Sequence, residues 1–138
     1  MAGSQFATFT LDHHLFGVEV EKVQEVIRYQ EMTRVPLAPA AVGGLINLRG
    51  QVLTAVDMRR RLGLPDREPG VHPMNVVVRT EEGAVALLVD QIGEVVDTDV
   101  ASFELPPDTL DPAARTLIRG AYKLDDRLLM ALDVPRAR

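Results

Sequence analysis

The residue that most needs a chemical explanation in this sequence is a single arginine between two apolar runs. Arg49 and Gly50 form a tight turn between residues 45–48 and 52–57. A cation between runs that are expected to be largely buried needs a partner carboxylate or a contact with another molecule, because a buried charge without a partner is strongly unfavourable. We predict an ion pair with Glu25. A contact with a binding partner at the mouth of a groove is the alternative, and the two can coexist.

The residues that could catalyse a reaction lack the surroundings that catalysis requires. Ser4 and Ser102 are the only serines, and neither lies in a nucleophile-elbow sequence. Gly43-Gly44 begins no dinucleotide-binding or Walker pattern. Asp57 with Asp125-Asp126 suggests an aspartyl-phosphate receiver, but that chemistry requires a parallel α/β sheet, which the strand pattern does not support. These observations indicate a binding protein rather than an enzyme.

The sequence also lacks the patterns of metal and nucleic-acid sites. His13, His14 and His72 have no zinc-type spacing, and there are no cysteines. The formal net charge is -5, which argues against a nucleic-acid partner. The three arginines 59–61 could steer an acidic partner, but such a run is more often a solvated helix face. We therefore expect no cofactor, no metal and no nucleic acid.

Short apolar runs separated by turn signals make up most of the chain. Residues 6–11 with 15–20, 75–79 with 84–90, and 118–124 with 128–133 predict three hairpins. Further strands are predicted at 33–35, 45–48, 52–57 and 92–97, and residues 103–107 are predicted to form a loop. Residues 21–27 and 58–62 predict helical turns, the second capped by Asp57.

This order of elements favours an all-β architecture. Strands do not alternate with long helices, so the pattern disfavours a doubly wound α/β fold and favours a barrel or a pair of small barrels. At 138 residues the chain predicts a single domain, with a possible boundary between two lobes near residues 65–73, where breakers and charges cluster. No signal peptide and no apolar run of membrane-spanning length is visible.

Several ordered motifs resemble the CheW family of chemotaxis coupling proteins. The resemblance covers residues 6–134, nearly the whole chain. The motifs that carry it are Phe16-Gly17-Val18-Glu19-Val20, Lys22-Val23-Gln24-Glu25-Val26, Gly44-Leu45-Ile46-Asn47-Leu48-Arg49-Gly50, Asp57-Met58-Arg59, Val89-Asp90 with Val95, and Gly120 with Leu128-Leu129-Met130-Ala131-Leu132-Asp133.

The resemblance implies two five-stranded SH3-like barrels that share an apolar core, with one or two short helical turns. It implies a non-enzymatic, cytoplasmic adaptor at membrane-associated receptor arrays, which binds the regulatory domain of the histidine kinase CheA and the cytoplasmic tip of chemoreceptors. A monomer outside the array, without insertion into the membrane, is expected. By matching motif positions, the residues implied at the receptor groove and its support are Val23, Glu25, Gly44, Arg49, Met74 and Val95.

Two other functions are compatible with the sequence. An adaptor of a chemotaxis-like pathway with a non-motility output would share all of these motifs. A small ligand-binding barrel would instead contain a large closed apolar pocket with convergent polar groups.

Overall fold

The computed structural model describes residues 5–81, 83–99, 102–105, 112 and 117–133. Within these residues the strands are β1 (Gln5–Leu11), β2 (His14–Glu19), β3 (Val23–Ile27), β4 (Val42–Leu48), β5 (Gln51–Asp57), β6 (Met74–Thr80), β7 (Gly83–Val89), β8 (Gln91–Asp97), β9 (Phe103–Glu104), β10 (Ile118–Lys123) and β11 (Leu128–Leu132). A 3₁₀ turn spans Val20–Lys22, and one helical turn, α1, spans Met58–Arg61. In the described part of the chain, no helix has the length and apolar character needed to cross a lipid bilayer.

The strands form two sheets. The first sheet has the order β8-β1-β2-β11-β10-β9 and the second has the order β3-β6-β7-β5-β4. Each sheet contains one parallel pair, β2 with β11 and β5 with β7, among otherwise antiparallel neighbours. The predicted all-β, two-barrel architecture is confirmed, with the two-residue strand β9 as a sixth strand of the first sheet.

Among the described strands, the chain changes sheet twice. It leaves the first sheet through the 3₁₀ turn between β2 and β3, and returns through Asp90, the one residue between β7 and β8. The second sheet is therefore built from one continuous stretch, which is inserted between the strands of the first. Residues 65–73 join α1 to β6 within that stretch, so the predicted lobe boundary coincides with neither change of sheet.

Three apolar clusters account for the near-continuous hydrophobic character of several strands. The largest cluster lies between the sheets and draws on both of them, with Phe16 and Val18 from β2 against Val85 and Leu87 from β7. A second cluster belongs to the second sheet alone, and a third to the first sheet alone. Strands such as β7 contribute to two clusters, because successive side chains point to opposite faces and both faces are covered.

Three local predictions were wrong. The predicted helical turn at residues 21–27 is confined to the 3₁₀ turn Val20–Lys22, because Val23–Ile27 is strand β3, hydrogen-bonded to β6. Short apolar runs do not distinguish the two by spacing, and strand pairing decided the outcome. Residues 33–35 make only an isolated bridge, Thr33 to Leu45. The predicted loop at 103–107 begins with strand β9, and residues 106–107 lie outside the described residues.

Candidate functional site

Arg49 lies at the tip of the β4–β5 hairpin. Its φ is 53° and that of Gly50 is 86°, so both residues of the two-residue loop are left-handed, as a type I′ turn requires. The side chain of Asn47 holds the turn by accepting a hydrogen bond of 3.0 Å from the backbone N–H of Gly50. This geometry makes the arginine project from the end of the hairpin.

The predicted ion pair between Arg49 and Glu25 is present. The Nη2 group of Arg49 donates a hydrogen bond to Oε2 of Glu25. The side chain of Arg49 is 67% exposed, however, and that of Glu25 is 22% exposed. The cation itself is therefore mostly exposed, because the hairpin tip extends past the apolar runs on either side of it.

The ion pair connects the two edges of the second sheet. Glu25 belongs to β3 and Arg49 follows β4, and these strands are the opposite ends of the sheet order. The segment between β3 and β4 adds a backbone bridge, in which Thr33 and Leu45 exchange two hydrogen bonds of 2.8 Å. Together these contacts curl the sheet toward a closed barrel and hold the hairpin tip beside β3.

Gly44 serves this closure through a close contact within the chain itself. It is buried, with a φ of 153°, at an irregularity in the β4–β5 register. An added Cβ would lie 2.7 Å from the carbonyl oxygen of Thr33 and 3.0 Å from the Cβ of Met32. The close approach at Gly44 is thus to residues 32–33 of this chain, which makes Gly44 a support of the barrel.

Val23 is the outermost residue of an apolar row on the second sheet. It pairs with Val78 of β6, which in turn pairs with Val85 of β7. Val78 and Val85 belong to the cluster between the sheets, and Val23 packs against that cluster while remaining partly exposed. The row therefore leads from the shared core to the surface at β3.

Val95 occupies the equivalent position on the first sheet. It pairs with Ala7 of β1, which pairs with Val18 of β2, a residue of the same shared cluster. Residues directly opposite each other in antiparallel strands point to the same face. Val95, at 57% exposure, thus extends the inter-sheet face onto the edge strand β8.

Met74 packs against the shared core from the opposite end of β6. It pairs with Val89 and is partly buried. Four residues separate it from Val78, so it lies about 13 Å along the strand from the Val23 row. Of the six implied residues, the structure brings Glu25 and Arg49 into contact and packs Gly44 against residues 32–33. It places Val23 and Val95 at the ends of two rows, and Met74 apart from both.

A second polar site, which the sequence pattern did not predict, surrounds Asp90. The Nε group of Arg59 donates to both carboxylate oxygens of Asp90, at 3.0 and 3.1 Å, and its Nη2 lies 2.5 Å from Oδ2. The Nε atom of Arg67 lies 2.9 Å from Oδ1 as an ion pair, although its N–H does not point at that oxygen. The backbone N–H of Asp12 donates to Oδ2 at 2.9 Å.

Asp57 joins this group of charges to α1. Its side chain caps the helix by accepting from the backbone N–H of Arg59, at 3.1 Å, as predicted for an N-cap. It also accepts from Nη1 of Arg67, at 3.1 Å, while Nη2 of Arg67 donates to the carbonyl of Leu88 at 3.0 Å. We call Asp57, Arg59, Arg67 and Asp90 the Asp90 network.

The Asp90 network is largely removed from solvent. The side chains of Arg67 and Asp90 are 9% and 17% exposed. Burial alone would raise the pKa of Asp90, but hydrogen bonds from Arg59 and the Asp12 backbone, with the charges of both arginines, hold that pKa below its ordinary value. The expectation of a solvated basic helix face was therefore wrong for Arg59 and right for Arg60, which is exposed and pairs with Asp66 at 3.0 Å.

A cleft of about 630 Å³ adjoins the Asp90 network. Seven of its eleven lining residues carry a charge, including Asp12 and Arg127, and none of the six implied groove residues lines it. It differs from the closed apolar pocket that a ligand-binding barrel would show. Within the residues that the structure describes, no group of three or more His, Cys, Asp or Glu side chains could hold a metal ion.

The chain is similar to known proteins over nearly its whole length. The CheW-like domain family matches residues 5–137. A chemotaxis protein CheW of Rhizobium meliloti is 30% identical over 96% of this chain and 85% of its own length, and one of Bacillus subtilis is 27% identical over 95% and 84%. The crystal structure of the scaffolding protein TtCheW from Thermoanaerobacter tengcongensis has a TM-score of 0.84 and 28% identity, covering 96% of this chain and 90% of that one.

Proposed function

This chain belongs to the CheW-like domain family, a family of chemotaxis scaffold proteins rather than enzymes, and we propose that it couples chemoreceptors to a CheA-type histidine kinase. The proposal places the protein in the cytoplasm at membrane-associated receptor arrays, as a monomer outside them. Coupling of this kind requires two surfaces that can be occupied at once. Because arrays are multivalent, each contact can be modest and still hold the assembly together.

The observation that carries the proposal is the pair of apolar rows that leave the shared core. One row ends at Val23 on β3 and the other ends at Val95 on β8. Val23, partly exposed, and Val95, exposed, suit a groove between the lobes that accepts the apolar face of a helix. We assign this groove to the helical hairpin tip of a chemoreceptor.

The ion pair of Glu25 and Arg49 supports the same groove. It holds the β4–β5 hairpin tip against β3, the strand that carries Val23. Gly44 supports it through the packing of residues 32–33. We therefore assign these three residues to the shape of the groove, Val23 and Val95 to direct apolar contact, and Met74 to the core beneath.

The test is the binding of a matched pair of variants to two fragments. Val95→Asp places a charge in the proposed groove, and Val71→Asp places the same charge on a residue of equal exposure, 56% against 57%, in the loop before β6. We expect Val95→Asp to weaken binding of a receptor hairpin fragment at least about tenfold, the loss of one central apolar contact. It should leave binding of the kinase regulatory domain intact, and Val71→Asp should change neither.

Thermal melts of both variants provide the folding control. Receptor affinity that is equal in a folded Val95→Asp variant and the parent would refute the groove assignment. Equal weakening for receptor and kinase fragments would refute two separable surfaces.

A further inference from the structure

We propose that the Asp90 network is a positioning device that sets the angle between the two lobes, and with it the width of the groove between Val23 and Val95. The inference rests on the proposed function, since it concerns the same groove. Asp90 does not touch that groove. It acts through the strands that leave it on either side.

Asp90 is the junction through which the chain returns from the second sheet to the first. Strand β7 runs into it and β8 runs out of it, with no other residue between them. Its backbone N–H donates to the carbonyl of Thr10 in β1, at 3.1 Å, so the junction is also tied to the first sheet beside β8. A change of direction at this one residue would change how the sheets face each other.

The side chain of Asp90 binds groups from both lobes at once. Arg59, on α1, and Arg67, in the loop after it, belong to the stretch that builds the second sheet. The backbone N–H of Asp12 belongs to the β1–β2 turn of the first sheet. The carboxylate thus bridges the lobes at the point where the backbone also does, and the low exposure of the network limits competition from water.

Equal lengths of strand lead from this junction to the two apolar rows that end at the proposed groove. Val85, in the row of Val23, precedes Asp90 by five residues, and Val95 follows it by five. Five residues of strand span about 17 Å, so a rotation of about 5° at Asp90 would displace either row by roughly 1.5 Å. Dispersion contacts lose a quarter to a half of their strength over a gap of about 0.5–1 Å, so such a displacement would weaken the packing of a helix bound in the groove.

The sequence permits a direct measurement of this geometry, because it contains no cysteine. Cysteines introduced at Gln24 of β3 and Glu94 of β8, both exposed, can carry spin labels on the two sides of the groove. Pulsed electron spin resonance then reports the distance distribution between the lobes without any partner. The affinity for a receptor hairpin fragment is measured separately, on unlabelled proteins that carry the same network and control substitutions.

Asp90→Asn retains the shape of the side chain and removes its charge. We expect this variant to shift or broaden the distance distribution and to weaken binding of a receptor hairpin fragment about fivefold or more. The matched control is Asp66→Asn, which removes an exposed carboxylate, paired with Arg60, from the same cleft. This control should match the parent in both measurements.

A second variant keeps the inference testable if Asp90→Asn does not fold. Arg59→Lys retains the positive charge but cannot reproduce the hydrogen bonds of Nε and Nη2 to one carboxylate. We expect it to broaden the distribution as well. Loss of the fold in both variants would overturn the inference, since the network would then be a requirement of folding rather than a determinant of the lobe angle.

The outcomes separate this inference from the proposed function. A parent-like distance distribution in a folded network variant, or an altered distribution with unchanged receptor affinity, would overturn the positioning role. A change in the Asp66→Asn control equal to that in Asp90→Asn would overturn it too. Failure of the parent protein itself to bind the receptor fragment would refute the proposed function instead.

Discussion

The ion pair between Arg49 and Glu25 allows a quantitative test of how exposure decides the strength of an interaction. We consider Arg49→Ala, Glu25→Ala and the double variant. Arg49 has a left-handed backbone, and alanine is as disfavoured there as arginine, so the substitution leaves the backbone cost nearly unchanged. The β-propensity change at Glu25, on β3, cancels in a double-mutant cycle.

The expected coupling energy follows from the exposure of the two side chains. A fully buried pair would lose about 3–5 kcal/mol when one partner is removed. Here Arg49 is 67% exposed, and both water and salt screen the pair. We therefore expect a coupling of about 0.2–1 kcal/mol, the range of surface pairs, toward its upper end because Glu25 is largely shielded.

The measurement is urea unfolding of the four proteins. Circular dichroism monitors the transition, because the chain has no tryptophan whose fluorescence could do so. A change of about 1 kcal/mol in the free energy of unfolding, the upper end of the expected range, corresponds to a shift of roughly 4 °C in melting temperature for a domain of this size. Repeating the cycle at about 1 M salt, where the screening length is roughly 3 Å, should reduce the coupling. A coupling above about 2 kcal/mol would refute the reasoning from exposure, and additive single-variant effects would show that the contact is not maintained in solution.

Three further expectations follow from local geometry. Gly44→Ala should destabilise the fold by about 1–3 kcal/mol in denaturant unfolding, because its new methyl group meets the carbonyl of Thr33; an unchanged midpoint would contradict the close contact. The lowered pKa of Asp90 means that its ionised form stabilises the folded state at neutral pH and that this contribution is lost as the pH falls below the ordinary carboxyl pKa of about 3.9. Stability should therefore depend less steeply on pH in that range for Asp90→Asn than for the parent, and parallel curves would count against the assignment. Asp57→Ala should lower the free energy of unfolding by about 0.5–2 kcal/mol or more, because it removes the cap on the backbone N–H of Arg59. A melting temperature equal to that of the parent would show that the cap contributes nothing.

The hairpins illustrate what could be predicted from the sequence. Each joins two apolar runs through a short polar turn, and the turns at Asp12-His13 and Arg49-Gly50 adopt the left-handed conformations that two-residue hairpins require. The N-cap at Asp57 was predicted for the same reason, since cap, turn and strand signals involve residues only a few positions apart. The pair of Glu25 with Arg49 was also predicted, from the position of Glu25 on the segment that precedes the hairpin, although that segment is a strand and not a helical turn.

Strand β3 shows where local pattern was insufficient. Val20, Val23, Val26 and Ile27 have near-helical spacing, yet residues 23–27 are extended. Pairing with β6 satisfies the backbone hydrogen bonds of this segment, and β6 lies about fifty residues away in the sequence. A five-residue run has too few turns to sustain a helix of its own, so the distant partner decided its conformation.

The strand periodicity, the turns and the helix cap can be predicted from the sequence, because each depends on residues close together in the chain. The resemblance to the CheW family can be predicted too, from ordered motifs along nearly the whole chain. The folded arrangement was needed to show that Arg49 is exposed, that Gly44 packs against residues 32–33, and that Asp90 bridges the lobes through Arg59 and Arg67. The physical reason is that burial and ion pairing depend on which faces meet once two sheets have packed together. The alternation of apolar residues along each strand is the same whichever sheet covers it.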